Sequence, residues 1–348
     1  MNFKTVRLFC FFFFIALLFI GKKNVLAQQD AQFSQYMFNS MYLNPGFAGI
    51  DGVSRVTGIF RKQWVGYTTT DGNTGYGAPT SAVITLSTPT PFLKKKLGLG
   101  MHFLRDLKGP LATTEFQIDG AYHIKVRDGK LGLGLRTGIL SQSIRTDLYN
   151  VIDPSDPIYQ SLIDGNVNQM KLDLTVGAWY RTNKLNVGLS VGHLPKSKFS
   201  YGLDSLSSRV NNHIYLTGSY DFRLGPSLVL TPTALVQTDL REFTYLFGAL
   251  ATYNDRFWIG LQARQSVASK DASTGGKTLA NDDLILLVGM SMLKNNALRI
   301  GYAFDFVTSG VDAKTRTSHE IMLSYFIPAP WDSPKPKVRT PRYRHDEN

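Results

Sequence analysis

The sequence predicts an all-β protein, a transmembrane antiparallel β-barrel of about 14 strands. Three observations point there. After residue 27 no apolar stretch reaches the roughly eighteen residues that a membrane-crossing helix requires. The chain divides instead into segments of about ten residues in which apolar side chains alternate with small or polar ones. The joints between segments also sort by length, tight on one side and long on the other, as the periplasmic turns and extracellular loops of outer-membrane barrels do.

The N-terminus places Lys4 and Arg7 before the apolar run Leu8–Ile20, with Val25-Leu26-Ala27 after it, the layout of a secretory signal peptide over residues 1–27. That run is too short to cross about 30 Å of hydrocarbon at about 1.5 Å per residue. The only cysteine, Cys10, falls inside it, so the exported chain has no disulfide, zinc-thiolate site or cysteine nucleophile. The 38 Lys+Arg outnumber the 26 Asp+Glu, and the surplus stays basic once the leader is removed. For an exported chain the matching counter-charges are outer-membrane lipids, lipopolysaccharide or wall polymer, not nucleic acid.

Residues 28–52 are rich in aromatics and methionine and poor in charge. Phe33, Met37 and Met41 recur every four residues, which predicts a short amphipathic helix ending before Asn44-Pro45. The segment is either a periplasmic lead-in packed on the rim, or a lumen plug or docking surface.

Strands follow near 53–64, 80–88, 96–105, 113–126, 130–143, 169–181, 183–194, 210–222, 227–237, 241–253, 256–266, 282–293, 297–306 and 317–326, giving a barrel over 53–326. In KLGLGLRTGIL, from Lys130, Leu131, Leu133 and Leu135 take one face and Gly132, Gly134 and Arg136 the other. Leucines on lipid and glycines in a crowded interior explain that pattern. A dinucleotide fingerprint does not, because Gly132, Gly134 and Gly138 have the wrong spacing and lie within one strand. Twelve or sixteen strands remain alternatives, since the joint over 89–95 is long for its side and the joint over 238–240 short.

Inward charges such as Lys171, Asp173, Arg181, Arg264 and Arg299 either line a pore or pair with one another to fill it. The basic, proline-rich residues 327–348 cannot continue the sheet and form a tail on the periplasmic side, where the N-terminus also lies.

Catalytic constellations are not apparent. DASTGGKT, at 271–278, has Asp271 where a phosphate-binding loop needs glycine. The histidines have no metal-ligand spacing, and His123 shares a strand face with Asp119 without a nucleophile beside them. These residues predict no enzyme, cofactor or metal.

The segment Gln32-Phe33-Ser34-Gln35-Tyr36-Met37-Phe38-Asn39, the turn Asn44-Pro45-Gly46-Phe47-Ala48-Gly49 and the strand end Arg61-Lys62-Gln63-Trp64 together resemble the start of the PorP/SprF family of type IX secretion membrane proteins. The resemblance implies a non-enzymatic barrel in the bacterial outer membrane. Its implied partners are type IX secretion components and the C-terminal domain of a secreted surface protein, such as an adhesin or gliding-motility protein, which it helps to export or anchor. Candidate plug or partner contacts are Phe33, Gln35, Tyr36, Asn44, Pro45 and Trp64, with Tyr149 and Tyr159 in the loop over 144–168. The alternative is an outer-membrane channel or hydrophobic-solute transporter.

Overall fold

The structure, a computed structural model, describes residues 30–66, 78–145, 155, 160, 168–200, 207–268, 279–308 and 316–327. The expected signal peptide, Tyr149, Tyr159, DASTGGKT and the proline-rich tail lie outside these residues, except that Ile327, expected to open the tail, is the last residue of the final strand.

Among the described residues there are seventeen strands: β1 (Ser54–Lys62), β2 (Thr80–Pro89), β3 (Leu97–Lys108), β4 (Leu111–Val126), β5 (Gly129–Ile144), β6 (Asn168–Arg181), β7 (Leu185–Gly192), β8 (Lys198–Ser200), β9 (Ser207–Arg209), β10 (His213–Tyr220), β11 (Phe222–Arg223), β12 (Leu228–Thr238), β13 (Glu242–Tyr253), β14 (Phe257–Ala268), β15 (Leu279–Met292), β16 (Leu298–Val307) and β17 (Ser318–Ile327). Three of them are accessory. The pair β8–β9 is a separate small hairpin, and β11 is a two-residue addition beside β12.

The other fourteen form a closed antiparallel barrel in which each strand pairs with the next along the chain. β1 closes the ring on β17, from Ser54 opposite Ile327 to Lys62 opposite His319. Closure leaves no unpaired strand edge, the condition for a sheet to exist in lipid. Among the described residues no helix is long and apolar enough to cross a membrane.

One rim has tight joints. At Asn254 and Asp255, φ values of 50° and 54° make the mirror-image turn whose twist matches the flanking strands. The opposite rim has the long loops. There the β8–β9 hairpin folds inward, and Phe199, fully buried, packs with Leu140 and Val210.

Outward positions are apolar along the strands, and Leu135 is 54% exposed between the interior-facing Gly134 and Arg136. Tyr122, Tyr220, Tyr253, Phe257 and Tyr325 are exposed near the tight-turn rim, where interfacial aromatics form a girdle. Leu135 lies near mid-strand, so Leu135→Arg should destabilise the barrel by about 2–4 kcal/mol. Equilibrium unfolding from lipid bilayers would measure this, and no loss of stability would contradict a lipid-facing surface.

Candidate functional site

Residues 30–53 run through the barrel interior from the long-loop rim to the tight-turn rim. The expected continuous helix does not form. A 3-10 turn over Tyr36–Phe38 and a helical turn over Ser40–Leu43 are separated at Asn39, with φ −130° and ψ 50°. Wall surrounds the segment, so Tyr36, Phe38, Met41, Tyr42 and Leu43 are all buried and no single helical face is preferred.

At the top of the lumen the segment is held by charge. Glu320 accepts hydrogen bonds from the backbone N–H groups of Ser34 and Gln35, both at 2.8 Å. The Ser34 hydroxyl donates to Asp305 at 2.9 Å and accepts from Arg61 at 2.8 Å and Arg264 at 2.7 Å. Asp305 bridges the two guanidiniums, 2.7 Å from Arg61 and 2.9 Å from Arg264, and Arg264 also reaches Asp283 at 2.8 Å. Ser34, Arg61, Arg264, Asp305 and Glu320 are all buried. Buried charges persist only when paired and hydrogen-bonded to this degree.

At mid-height Arg136 pairs with Asp119 at 2.6 Å and donates to the carbonyls of Tyr42 at 2.8 Å and Met41 at 2.5 Å. Ser190 donates to the Leu43 carbonyl at 2.6 Å. These bonds satisfy carbonyls that so short a helix leaves open.

Lower down, the Asn44 side chain accepts from Gly46 N at 2.8 Å and donates to the Ala178 carbonyl at 3.0 Å. Pro45 then starts a 3-10 turn over Pro45–Phe47, which lies against β5 and β6. A Cβ on Gly134 would come within 2.3 Å of Pro45 and Gly46 backbone, and one on Gly132 within 2.2 Å of the Gly46 carbonyl. The leucine–glycine alternation is therefore a lipid face backed by a groove that admits another backbone. Below this, His123 Nε2 donates to the Ala48 carbonyl at 2.8 Å, the Gly49 N–H donates to the Ser87 hydroxyl at 2.9 Å, and Arg181 pairs with Asp51.

The other half of the lumen is apolar. Leu246, Leu250, Trp258, Ile285, Leu287, Ala303 and Met322 point inward onto Phe33, Tyr36, Phe38, Tyr42 and Leu43. A uniformly polar inner face, expected from alternation, is not what forms, because the segment supplies an apolar partner. Leu284-Ile285-Leu286-Leu287-Val288, apolar on both faces, is the signal in the sequence for a strand buried on both sides.

Of the residues singled out from sequence, Phe33, Gln35, Tyr36, Asn44 and Pro45 come together in this segment. Phe33 packs edge-on to Tyr42 with ring centroids 5.4 Å apart. Trp64 is half-buried after β1 on the long-loop rim, its N 3.4 Å from the Ser318 hydroxyl. Asp173, Arg264 and Arg299 are buried and Arg181 is engaged with Asp51, whereas Lys171 is exposed. His123 and Asp119, the one pair with catalytic residue types, are taken up in holding Ala48 and Arg136.

The sequence reading missed the cage around Ser34, whose members come from five neighbouring strands, β14 to β17 and β1, and the segment itself. It also missed a cluster at the long-loop end. There Asp30 meets His193 Nε2 at 3.1 Å and His213 Nδ1 at 3.7 Å, and accepts a hydrogen bond from the Tyr215 hydroxyl. Burial acts to raise the Asp30 carboxyl, but the two imidazoles and the hydroxyl outweigh it and hold the group well below the usual carboxylate range. One signal existed: His193 and His213 are the two feet of a single hairpin, with His213 opposite Gly192.

A closed antiparallel cylinder with an apolar outer belt defines a transmembrane β-barrel protein of the bacterial outer membrane. The chain belongs to the family of type IX secretion system membrane proteins PorP/SprF, which matches residues 25–325. This family and fold are those of a secretion-system barrel and not of a known enzyme class. No curated protein matches the chain.

Among solved structures, the chain is similar to the CymD monoaromatic hydrocarbon channel, with TM-score 0.47, 11% identity, and coverage of 82% of this chain and 91% of that one. It is also similar to the outer membrane protein Omp33 of Acinetobacter baumannii, with TM-score 0.41, 9% identity, and coverage of 79% and 98%. A third is a Pseudomonas aeruginosa FadL homologue, with TM-score 0.40, 11% identity, and coverage of 80% and 93%.

Proposed function

We propose that this protein is a non-enzymatic, plugged outer-membrane barrel that assists export or surface anchoring of a specific secreted protein by the type IX system, with residues 30–53 as the plug. The observation that supports this best is the seating of that segment, held by Glu320 and the Ser34 cage above, Arg136 at mid-height and the Gly132–Gly134 groove below. Cavities of about 10 to 20 Å³ along it leave room for about one water each, and a larger one of about 320 Å³ lies at the long-loop end, where the segment begins at Asp30 and Ala31. A filled lumen suits a scaffold that presents its loops to a client better than one that passes solutes.

In this reading the tight-turn rim and the tail over 327–348 face the periplasm and the type IX components. The long loops, including Tyr149 and Tyr159, meet the C-terminal domain of the secreted client. Planar-bilayer recording of the full-length protein should show no steady conductance, and pull-downs from detergent-solubilised envelopes should recover a secreted protein with such a domain. A steady open pore would overturn this reading in favour of the channel or hydrophobic-solute transporter.

A further inference from the structure

We propose that Asp30, His193 and His213 form a binding site for a divalent transition-metal ion of the zinc class, clamping the start of the lumen segment to the foot of the 193–212 loop. One ligand atom from each residue lies within 4.8 Å of the others. Tetrahedral ligands at about 2.0–2.1 Å from zinc stand a little over 3 Å apart, and the 3.1 Å and 3.7 Å separations from Asp30 to the two imidazoles bracket that spacing. A carboxylate and two imidazoles form a common zinc donor set, with the fourth position left to water.

Three further observations favour an ion over a simple pair. His193 Nδ1 lies 3.1 Å from Asp173 Oδ1 without an aligned hydrogen bond, near enough for the carboxylate to orient a ligating Nε2 and raise its basicity once an ion fixes the ring. His213 is 1% exposed, with Nδ1 toward Asp30 and 3.2 Å from the Asn211 carbonyl, while its Nε2 has no hydrogen-bond partner among the described residues, a buried imidazole only half satisfied. A cavity of about 320 Å³ opens onto Asp30 and His193, and its wall includes the acidic groups of Asp106, Glu115 and Glu242 against the single lysine Lys108. That lining draws cations toward the cluster.

Binding is expected to displace protons shared between Asp30 and the imidazoles, so the ion replaces the existing contacts and does not require a new fold. The site depends on where the segment lies, but not on the secretory role.

The test uses untagged full-length protein in detergent, stripped with chelator and titrated with Zn²⁺ by calorimetry, with Co²⁺ as the spectroscopic probe. One equivalent should bind, and Co²⁺ should develop the intense visible bands of a tetrahedral site. His193→Ala and His213→Gln should each abolish that binding, and Asp173→Asn should weaken it by about tenfold or more. His319→Ala, which removes a histidine bonded to Tyr302 on the exposed face, should leave it unchanged.

Heat-modifiable migration on gels confirms that each variant is folded. Absence of stoichiometric binding in the wild type, or binding that survives the His193→Ala, His213→Gln double substitution, overturns the proposal. A conducting barrel that still binds one ion would sink the plug reading alone; a silent barrel that binds none would sink the metal site alone.

Discussion

Gly98→Ala should unseat the lower part of the lumen segment, while Gly120→Ala, in the neighbouring strand of the same sheet, should be tolerated. A Cβ on Gly98 would come 1.9 Å from the Ala48 carbonyl oxygen and 2.5 Å from its carbon, both backbone atoms that cannot rotate aside. At Gly120 nothing lies within 4 Å. Overpacking of a filled interior costs about 1–3 kcal/mol when side chains can shift. Here the relief has to come from moving the 48–49 backbone, so a cost at or above the upper end is expected. The strand ladders are untouched, and the barrel should persist with a lowered thermal midpoint, a protease-accessible segment and measurable conductance. Equal behaviour of the two variants would show that close backbone approach does not hold the segment.

Asp305→Ala should be the most damaging single change among the buried charges. It removes the carboxylate that bridges Arg61 and Arg264 and that accepts from the Ser34 hydroxyl. Two guanidiniums would then share one serine oxygen in a buried site, with Arg61 left to Glu320 at 3.7 Å and Arg264 to Asp283 at 2.8 Å. Breaking a buried ionic network by removing one member costs about 3–5 kcal/mol, chiefly through the charge left uncompensated. Asp305→Asn should cost less, because it keeps an acceptor for Ser34 but not the charge. Equilibrium unfolding in lipid would read both, and a cost for Asp305→Ala below about 1 kcal/mol, the scale of an exposed pair, would mean that water reaches the cage.

The fourteen strands were legible along the chain because each barrel strand lies between lipid and interior. That environment imposes a period of two, and strong turn residues mark the ends. Leu131-Gly132-Leu133-Gly134-Leu135 shows this at its plainest, and the 129–144 strand departs from its expected bounds by one residue at each end. The 198–200 and 207–209 hairpin was not legible, since three-residue strands are too short to show a period.

Reading the interior was harder. The lumen segment is enclosed by side chains from many strands, so its own spacing suggested one helix where the wall accommodates two broken turns. The inward charges could be named, but not which carboxylate meets which guanidinium.

Local alternation, loop lengths and the absence of a long apolar helix were enough to specify a closed cylinder and which residues face lipid, because those properties depend on neighbours along the chain and on the solvent each face meets. What fills the cylinder depended on closure. Ser34 meets Asp305, Gly46 meets Gly132 and Asp30 meets His193 only after the ring is complete. Such contacts span more than eighty residues of chain and leave no periodic trace in the sequence.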